Sequence, residues 1–200
     1  MIYRARYLNY GLLGILGDIE IRSDAIRTFR VILTEKIESK LRAKLREGKS
    51  ILLVKPSSLE EARKLTFSSL VDGAIATYDS EKPRIDYVCM KQLKRNEGAL
   101  VIPLSCLIKT IEGGSLSLKS VRTELKLARR AGVYPVICSF ASGVEEQVPP
   151  RLMIAFAEFF FDLNKEEAKK MVKDFPNYIV SGERKLKLRG RVPLEVQDTD

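Results

Sequence analysis

Short runs of consecutive apolar residues alternate with longer stretches of helical period from Ser50 onward, and this alternation does most to narrow the fold. The runs are SILLVKP (Ser50–Pro56), LVDGAIATY (Leu70–Tyr78), GALVIPLS (Gly98–Ser105) and YPVIC (Tyr134–Cys138). Each is mostly apolar and lacks strict alternation with polar residues. Such runs are expected to be strands buried on both faces, as in a parallel sheet covered by helices.

The intervening stretches carry helix signals. Ser58 with Glu61 forms a capping box for a helix over Leu59–Thr66, and Asn164 with Glu167 forms another before KEEAKKMVKDF. A helix is expected from about Ile85 to Lys94, and a short one after GALVIPLS to about Ile111. After an EGGS turn (Glu112–Ser115), a helix begins at Leu116 or Ser117 and closes at Gly132; Pro149-Pro150 opens another, to about Leu163. Upstream, Arg4–Leu8 and Gly14–Ile21 are candidate strands. Asp24 to about Glu47 reads as a long helix capped by Ser23 and stopped by Gly48, with Ile26, Phe29, Leu33, Ile37, Leu41 and Leu45 at helical steps. NYIVSG is a candidate last strand. Roughly seven or eight strand–helix units predict a closed TIM-like α/β barrel, with an open doubly wound sheet as the second reading. One domain over 1–182 and a basic tail over 183–200 are expected, with the edge near Ser181-Gly182.

Composition then removes several function classes. The chain has no histidine, so it cannot build a Ser-His-Asp triad, a Cys-His pair or a His-ligated metal centre. Cys89, Cys106 and Cys138 are odd in number, far apart and set in apolar sequence, which suits buried thiols in a reducing cytosol better than disulfides or zinc. No apolar run approaches a membrane span, and the N-terminal region lacks a signal-peptide pattern. A cytoplasmic protein without a membrane partner is expected.

Candidates for chemistry are sparse. Neither the P-loop nor the dinucleotide glycine pattern occurs. Asp72, Asp79, Glu81 and Asp86 lie at a strand and the loop after it, where a barrel could hold Mg²⁺, but caps and surface charge explain them more simply. Ser139 and Ser142, at the end of a buried strand, have no identifiable base. No catalytic residue, bound cofactor or metal site is therefore expected in this chain.

The basic residues carry more information. Lys and Arg number 35 against 26 Asp and Glu, a net charge of +9. They concentrate in the Asp24–Lys49 stretch (Arg27, Arg30, Lys36, Lys40, Arg42, Lys44, Arg46), in the Lys119–Arg130 helix and in the tail. The second carries Lys119, Arg122, Lys126, Arg129 and Arg130, of which Arg122, Lys126 and Arg129-Arg130 fall at 3- and 4-residue steps on one face, a spacing that can follow a phosphate backbone. A solvated helix face explains any one cluster, whereas three together favour nucleic acid. Aromatic residues are few, so shape and backbone recognition of structured RNA fits better than base stacking. Phe159, Phe160 and Phe161 exceed what one core-facing stripe needs and suggest a protein interface.

The segment from Leu127 to Val180 resembles protein component 3 of archaeal ribonuclease P, relative of the thirty-kilodalton eukaryotic subunit. The resemblance rests on Leu127-Ala128-Arg129-Arg130, Ser139 and Ala141, Pro150-Arg151-Leu152, Glu167-Ala168, and Phe175-Pro176 with Ile179. Upstream it continues through Asp86, Asn96 and Leu104–Leu107, so that it spans about Leu70 to Val180. It implies a TIM-like barrel related to the polymerase-and-histidinol-phosphatase phosphoesterases, without their metal site. It also implies binding to ribonuclease P RNA, pairing with component 2 and other holoenzyme proteins, and a role in cleaving precursor tRNA. The Mg²⁺-dependent chemistry would belong to the RNA. The RNA-contacting residues expected on this basis are Arg84, Lys119, Arg122, Lys126, Arg129, Arg130 and Arg151, with Arg184, Lys185, Lys187, Arg189 and Arg191 of the tail. Two positions that usually carry Arg in the family are Val148 and Ser105 here.

Overall fold

A computed structural model describes residues 19–23, 26–34, 50–113, 118–140 and 148–174, with side chains from 52 onward. The strands are β1 (Ile19–Ser23), β2 (Ile26–Thr34), β3 (Ser50–Val54), β4 (Gly73–Ile75), β5 (Ala99–Pro103) and β6 (Tyr134–Cys138). They form one sheet in chain order; β1 pairs antiparallel with β2 and every later neighbour is parallel. The helices are α1 (Leu59–Thr66), α2 (Tyr87–Arg95), α3 (Leu104–Glu112), α4 (Leu118–Ala131), α5 (Pro150–Phe161) and α6 (Lys165–Lys169), the last widening into a π-helical turn over Lys170–Asp174. The chain is thus an α/β protein with a largely parallel sheet.

The long helix expected from Asp24 is corrected over its first part, where the structure has β2. Ile26, Thr28, Phe29, Val31, Ile32 and Thr34 are β-branched or aromatic, and a strand this dense in them also satisfies helical steps by coincidence. The strand hairpins onto β1 through Ser23 opposite Ile26 and pairs in parallel with β3 through Arg30 opposite Ser50. Arg4–Leu8, residues 35–49, NYIVSG and the basic tail lie outside the described residues.

The pleat sorts side chains between two cores. Leu52, Val54, Ala74, Ala76, Leu100, Ile102 and Ile137 join Leu65, Met90, Leu107, Leu125 and Ala157 of the helices. Leu53, Ile75, Ala99, Val101, Val136, Cys138 and Phe140 form a second core on the opposite face. Helices α1 to α5 therefore contribute to one side of the sheet. Among the described residues the strand order shows no reversal of the kind that a doubly wound sheet requires. Gly73 fits this crowding: a Cβ there would lie 3.0 Å from the Ala99 carbonyl oxygen and 3.0 Å from Leu53 Cδ2.

Local signals set the helix ends. Asn164 and Glu167 form the complete capping box, with Oδ1 of Asn164 accepting from the Glu167 N–H at 2.9 Å. Gly132 stops α4 at φ 71°, a conformation that suits glycine.

Candidate nucleic-acid interface

Helix α4 is amphipathic in the manner its sequence predicts. Val121, Leu125 and Ala128 are buried, while Lys119, Arg122, Lys126, Arg129 and Arg130 are all exposed. Three of the five cations are tethered to neighbouring helices. Arg122 Nε donates to the Phe160 carbonyl at 2.7 Å, placing a cation at the C-terminal turn of α5. Arg129 Nη2 donates to Glu167 Oε1 of α6 at 2.7 Å, and the Arg130 guanidinium lies 5.3 Å from the Tyr87 ring centroid on α2. The Lys119 and Lys126 side chains are exposed and carry no hydrogen bond or ion pair among the described residues. Each tethered guanidinium retains further donors that can reach an anion. The stripe is a row of positive charge in which three arginines are held in place and two lysines extend freely from the helix.

Arg84 and Arg151 stand apart from this row. Arg84, in the loop between β4 and α2, is half-buried and donates to Asp79 Oδ1 at 2.8 Å. Arg151 is exposed on α5, in line with Ala155 and Phe159 at four-residue steps. The five tail cations, with Ala141 and Ser142, lie outside the described residues.

The ends of β3 and β4 gather a polar group that the sequence reading passed over. Lys55 Nζ donates to the Tyr78 hydroxyl at 2.9 Å and lies 3.4 Å from Asp79, which it shares with Arg84. Burial opposes the Lys55 charge, but Tyr78 and Asp79 outweigh it and hold its pKa above the usual lysine value. Burial pushes the Tyr78 phenol up as well, against the pull of Lys55. The pair therefore stays ammonium and neutral phenol at neutral pH, which is unsuited to proton abstraction. Burial pushes the Cys89 thiol up to about 11 and Cys138 well above its ordinary value, so neither supplies a ready thiolate. Ser139 is buried, and its carbonyl accepts from the Ser105 N–H at 2.8 Å, joining the end of β6 to α3.

The carboxylates have structural occupations. Asp72 Oδ2 accepts from the Leu52 N–H at 2.6 Å inside the sheet. Asp86 caps α2 by accepting from the Cys89 N–H at 2.9 Å and pairs with Arg63 at 2.6 Å. Glu81 is exposed. Among the described residues no group of three or more His, Cys, Asp or Glu side chains is placed to hold a metal ion. Glu124, which the sequence reading did not single out, is wholly buried within α4. Its only sequence signal is a charge at the apolar phase of the helix.

The three phenylalanines divide. Phe159 is 80% exposed, Phe160 is half-buried and Phe161 is only 7% exposed, within the main core. Phe159 packs edge-on against Phe160 at 5.0 Å, which stacks on Phe156 at 4.3 Å. Together with Leu152, 58% exposed, they border a groove of about 670 Å³ between α3 and α5. Val148 and Ser105 also line this largely apolar groove. No helix among the described residues is long and apolar enough to cross a membrane.

No family model and no curated protein matches this sequence. Among solved structures, a chain in a cryo-EM structure of archaeal ribonuclease P with mature tRNA is similar, at a TM-score of 0.59 and 20% sequence identity. The match covers 90% of this chain and 78% of that one. At that identity the likeness establishes a shared fold.

Proposed function

We propose that this chain is a protein subunit of ribonuclease P, of the component 3 type, that binds the ribonuclease P RNA and supports removal of 5′ leaders from precursor tRNA. The observation that carries the reading is the fold shared, over 90% of the chain, with a chain of an archaeal ribonuclease P assembly. The exposed row of cations on α4 supports it, because such a row suits a phosphate backbone. So does the ordered series of residues from Leu70 to Val180 that resembles the component 3 family.

In this reading the protein completes a TIM-like barrel related to the polymerase-and-histidinol-phosphatase fold, over 1–182, with a basic tail that adds RNA contacts. Sequential strand order and helices on one face of the sheet favour barrel winding. Mg²⁺ acts at the RNA, the isolated chain is inactive, and component 2 or another protein subunit covers the groove beside Phe159. The setting is cytoplasmic. A carboxylate-only phosphoesterase fits less well, since Asp72, Asp79 and Asp86 are each engaged in bracing or capping. A general structured-RNA-binding protein shares the stripe and is separated by activity.

The test is reconstitution of an archaeal ribonuclease P RNA with component 2, with and without this chain, scored for cleavage of precursor tRNA. Stimulated cleavage at the mature 5′ end is expected. Tight RNA binding without stimulation would favour the general RNA-binding reading.

A further inference from the structure

Beyond the α4 stripe, the seam between α2 and α4 gathers positive charge around tyrosines. Lys91 Nζ lies 5.0 Å from the Tyr87 ring centroid, and the Arg130 guanidinium lies 5.3 Å from the same centroid. One helical turn along, Lys94 Nζ lies 5.3 Å from the centroid of Tyr134, the first residue of β6. Lys91, Lys94 and Arg130 are all exposed. None of them forms an ion pair among the described residues, whereas Arg63, Arg84 and Arg129 each have a carboxylate.

Two cations sharing one aromatic ring repel each other, and a ring quadrupole offsets that repulsion only in part. An exposed cation–π contact is weak, no stronger than the repulsion between neighbouring exposed charges. The arrangement is therefore a poor way to stabilise the free chain. It is a good way to hold ammonium and guanidinium groups in fixed positions for an anion. Lys94 also has a local role, since its end lies over Gly132 at the C-terminus of α4, whereas the Lys91 ammonium has the Tyr87 ring as its contact.

We propose that this seam is a second phosphate-backbone contact, along which a structured RNA passes from the α4 stripe onto α2. Arg130 belongs to both surfaces and makes them continuous. The cations grip phosphates, and the tyrosine rings fix the cations rather than stack bases. This rests on the proposed RNA-binding function and adds a surface to it that the spacing on α4 alone does not reveal.

The experiment uses the full chain and an archaeal ribonuclease P RNA transcript, with affinity measured across a salt series. Lys91→Ala with Lys94→Ala should lower the log–log salt slope by about 1.4–1.8, from about 0.7–0.9 per lost phosphate contact. Lys91→Arg with Lys94→Arg should restore it, and unchanged melting temperatures confirm that the variants fold. Acetylation of the wild-type chain should be blocked by the RNA at Lys91 and Lys94. An unchanged slope and unprotected lysines, with Lys119→Ala and Lys126→Ala still flattening the slope, would overturn this surface and leave the RNA-binding reading intact. No RNA binding by the wild-type chain would overturn both. Equal protection by polyglutamate at the same charge concentration would make the seam an acidic-protein surface and overturn it as an RNA site.

Discussion

The carboxylate of Glu124 accepts a 2.6 Å hydrogen bond from the hydroxyl of Thr77 and a 2.8 Å bond from its backbone N–H. The same carboxylate accepts from the N–H groups of Arg84 and Ile85, each at 3.0 Å. One side chain on α4 thereby closes the whole loop from the end of β4 to α2, the loop that carries Asp79 and Arg84. Removing the carboxylate leaves several buried donors unsatisfied at about 1–3 kcal/mol each. Glu124→Ala should therefore cost roughly 3–5 kcal/mol by denaturant unfolding.

The pH dependence of that bracket has a defined sign. Burial raises the Glu124 pKa above the ordinary 4.5, against the pull of the Thr77, Ile85 and Arg84 donors. A raised carboxyl binds its proton more readily folded than unfolded, so its contribution is fully present below the ordinary value and is lost as pH rises through the folded value. The stability advantage of wild type over Glu124→Gln should shrink across that window and then level off. A difference that grows with pH would mean the hydrogen bonds outweigh burial.

Asp72 is expected to matter for stability and not for chemistry. Its carboxylate holds the Leu52 N–H at 2.6 Å, and its own backbone bridges Leu52 and Ala99. Asp72→Ala should cost about 1–3 kcal/mol, and Asp72→Asn less, since its amide oxygen can still accept. In reconstituted cleavage assays below the melting temperature, both variants should match wild type. A loss of cleavage without a loss of stability would return Asp72 to the list of functional carboxylates.

The parallel strands and most helices were legible because their signals are local and redundant. Ser50–Val54, Ala99–Pro103 and Tyr134–Cys138 fall inside mostly apolar runs, and Gly132 and Asn164 end and begin helices where their chemistry requires. β2 was not legible. Ile26, Phe29 and Leu33 satisfy a helical period, and only pairing with β1 and β3 selects the strand. Of the candidate site, the α4 face was readable from spacing because all five cations share one helix. What lies across from them was not. The Arg130–Tyr87 contact and the Glu124 bracket join residues about forty positions apart, a distance that no periodicity spans.

Phe159 and Phe161 should respond oppositely to the same change. Phe159→Ser, at a site 80% exposed, should shift stability by no more than about 0.5 kcal/mol. Phe161→Ser, within the core, should cost roughly 3–5 kcal/mol. If the groove beside Phe159 receives another subunit, Phe159→Ser should weaken binding to component 2 at least tenfold by calorimetry while the free chain melts normally. Equal binding by wild type and Phe159→Ser would place the protein interface elsewhere.

The α4 stripe gives the last prediction, because its cations differ in what else they do. Arg129 pairs with Glu167 on the surface and Arg122 meets the end of α5, contacts worth about 0–1 kcal/mol apiece. The Lys126 side chain carries no hydrogen bond or ion pair among the described residues. Changing Arg122, Lys126, Arg129 and Arg130 together to Ala should lower the salt slope of RNA binding by about 2.8–3.6, with only a modest fall in melting temperature. Lys126→Ala alone should take about 0.7–0.9 from the slope and leave the melting temperature unchanged. If the fourfold variant binds RNA with an unaltered slope, the phosphates lie on another face and α4 is a solvated helix whose arginines only brace α2, α5 and α6.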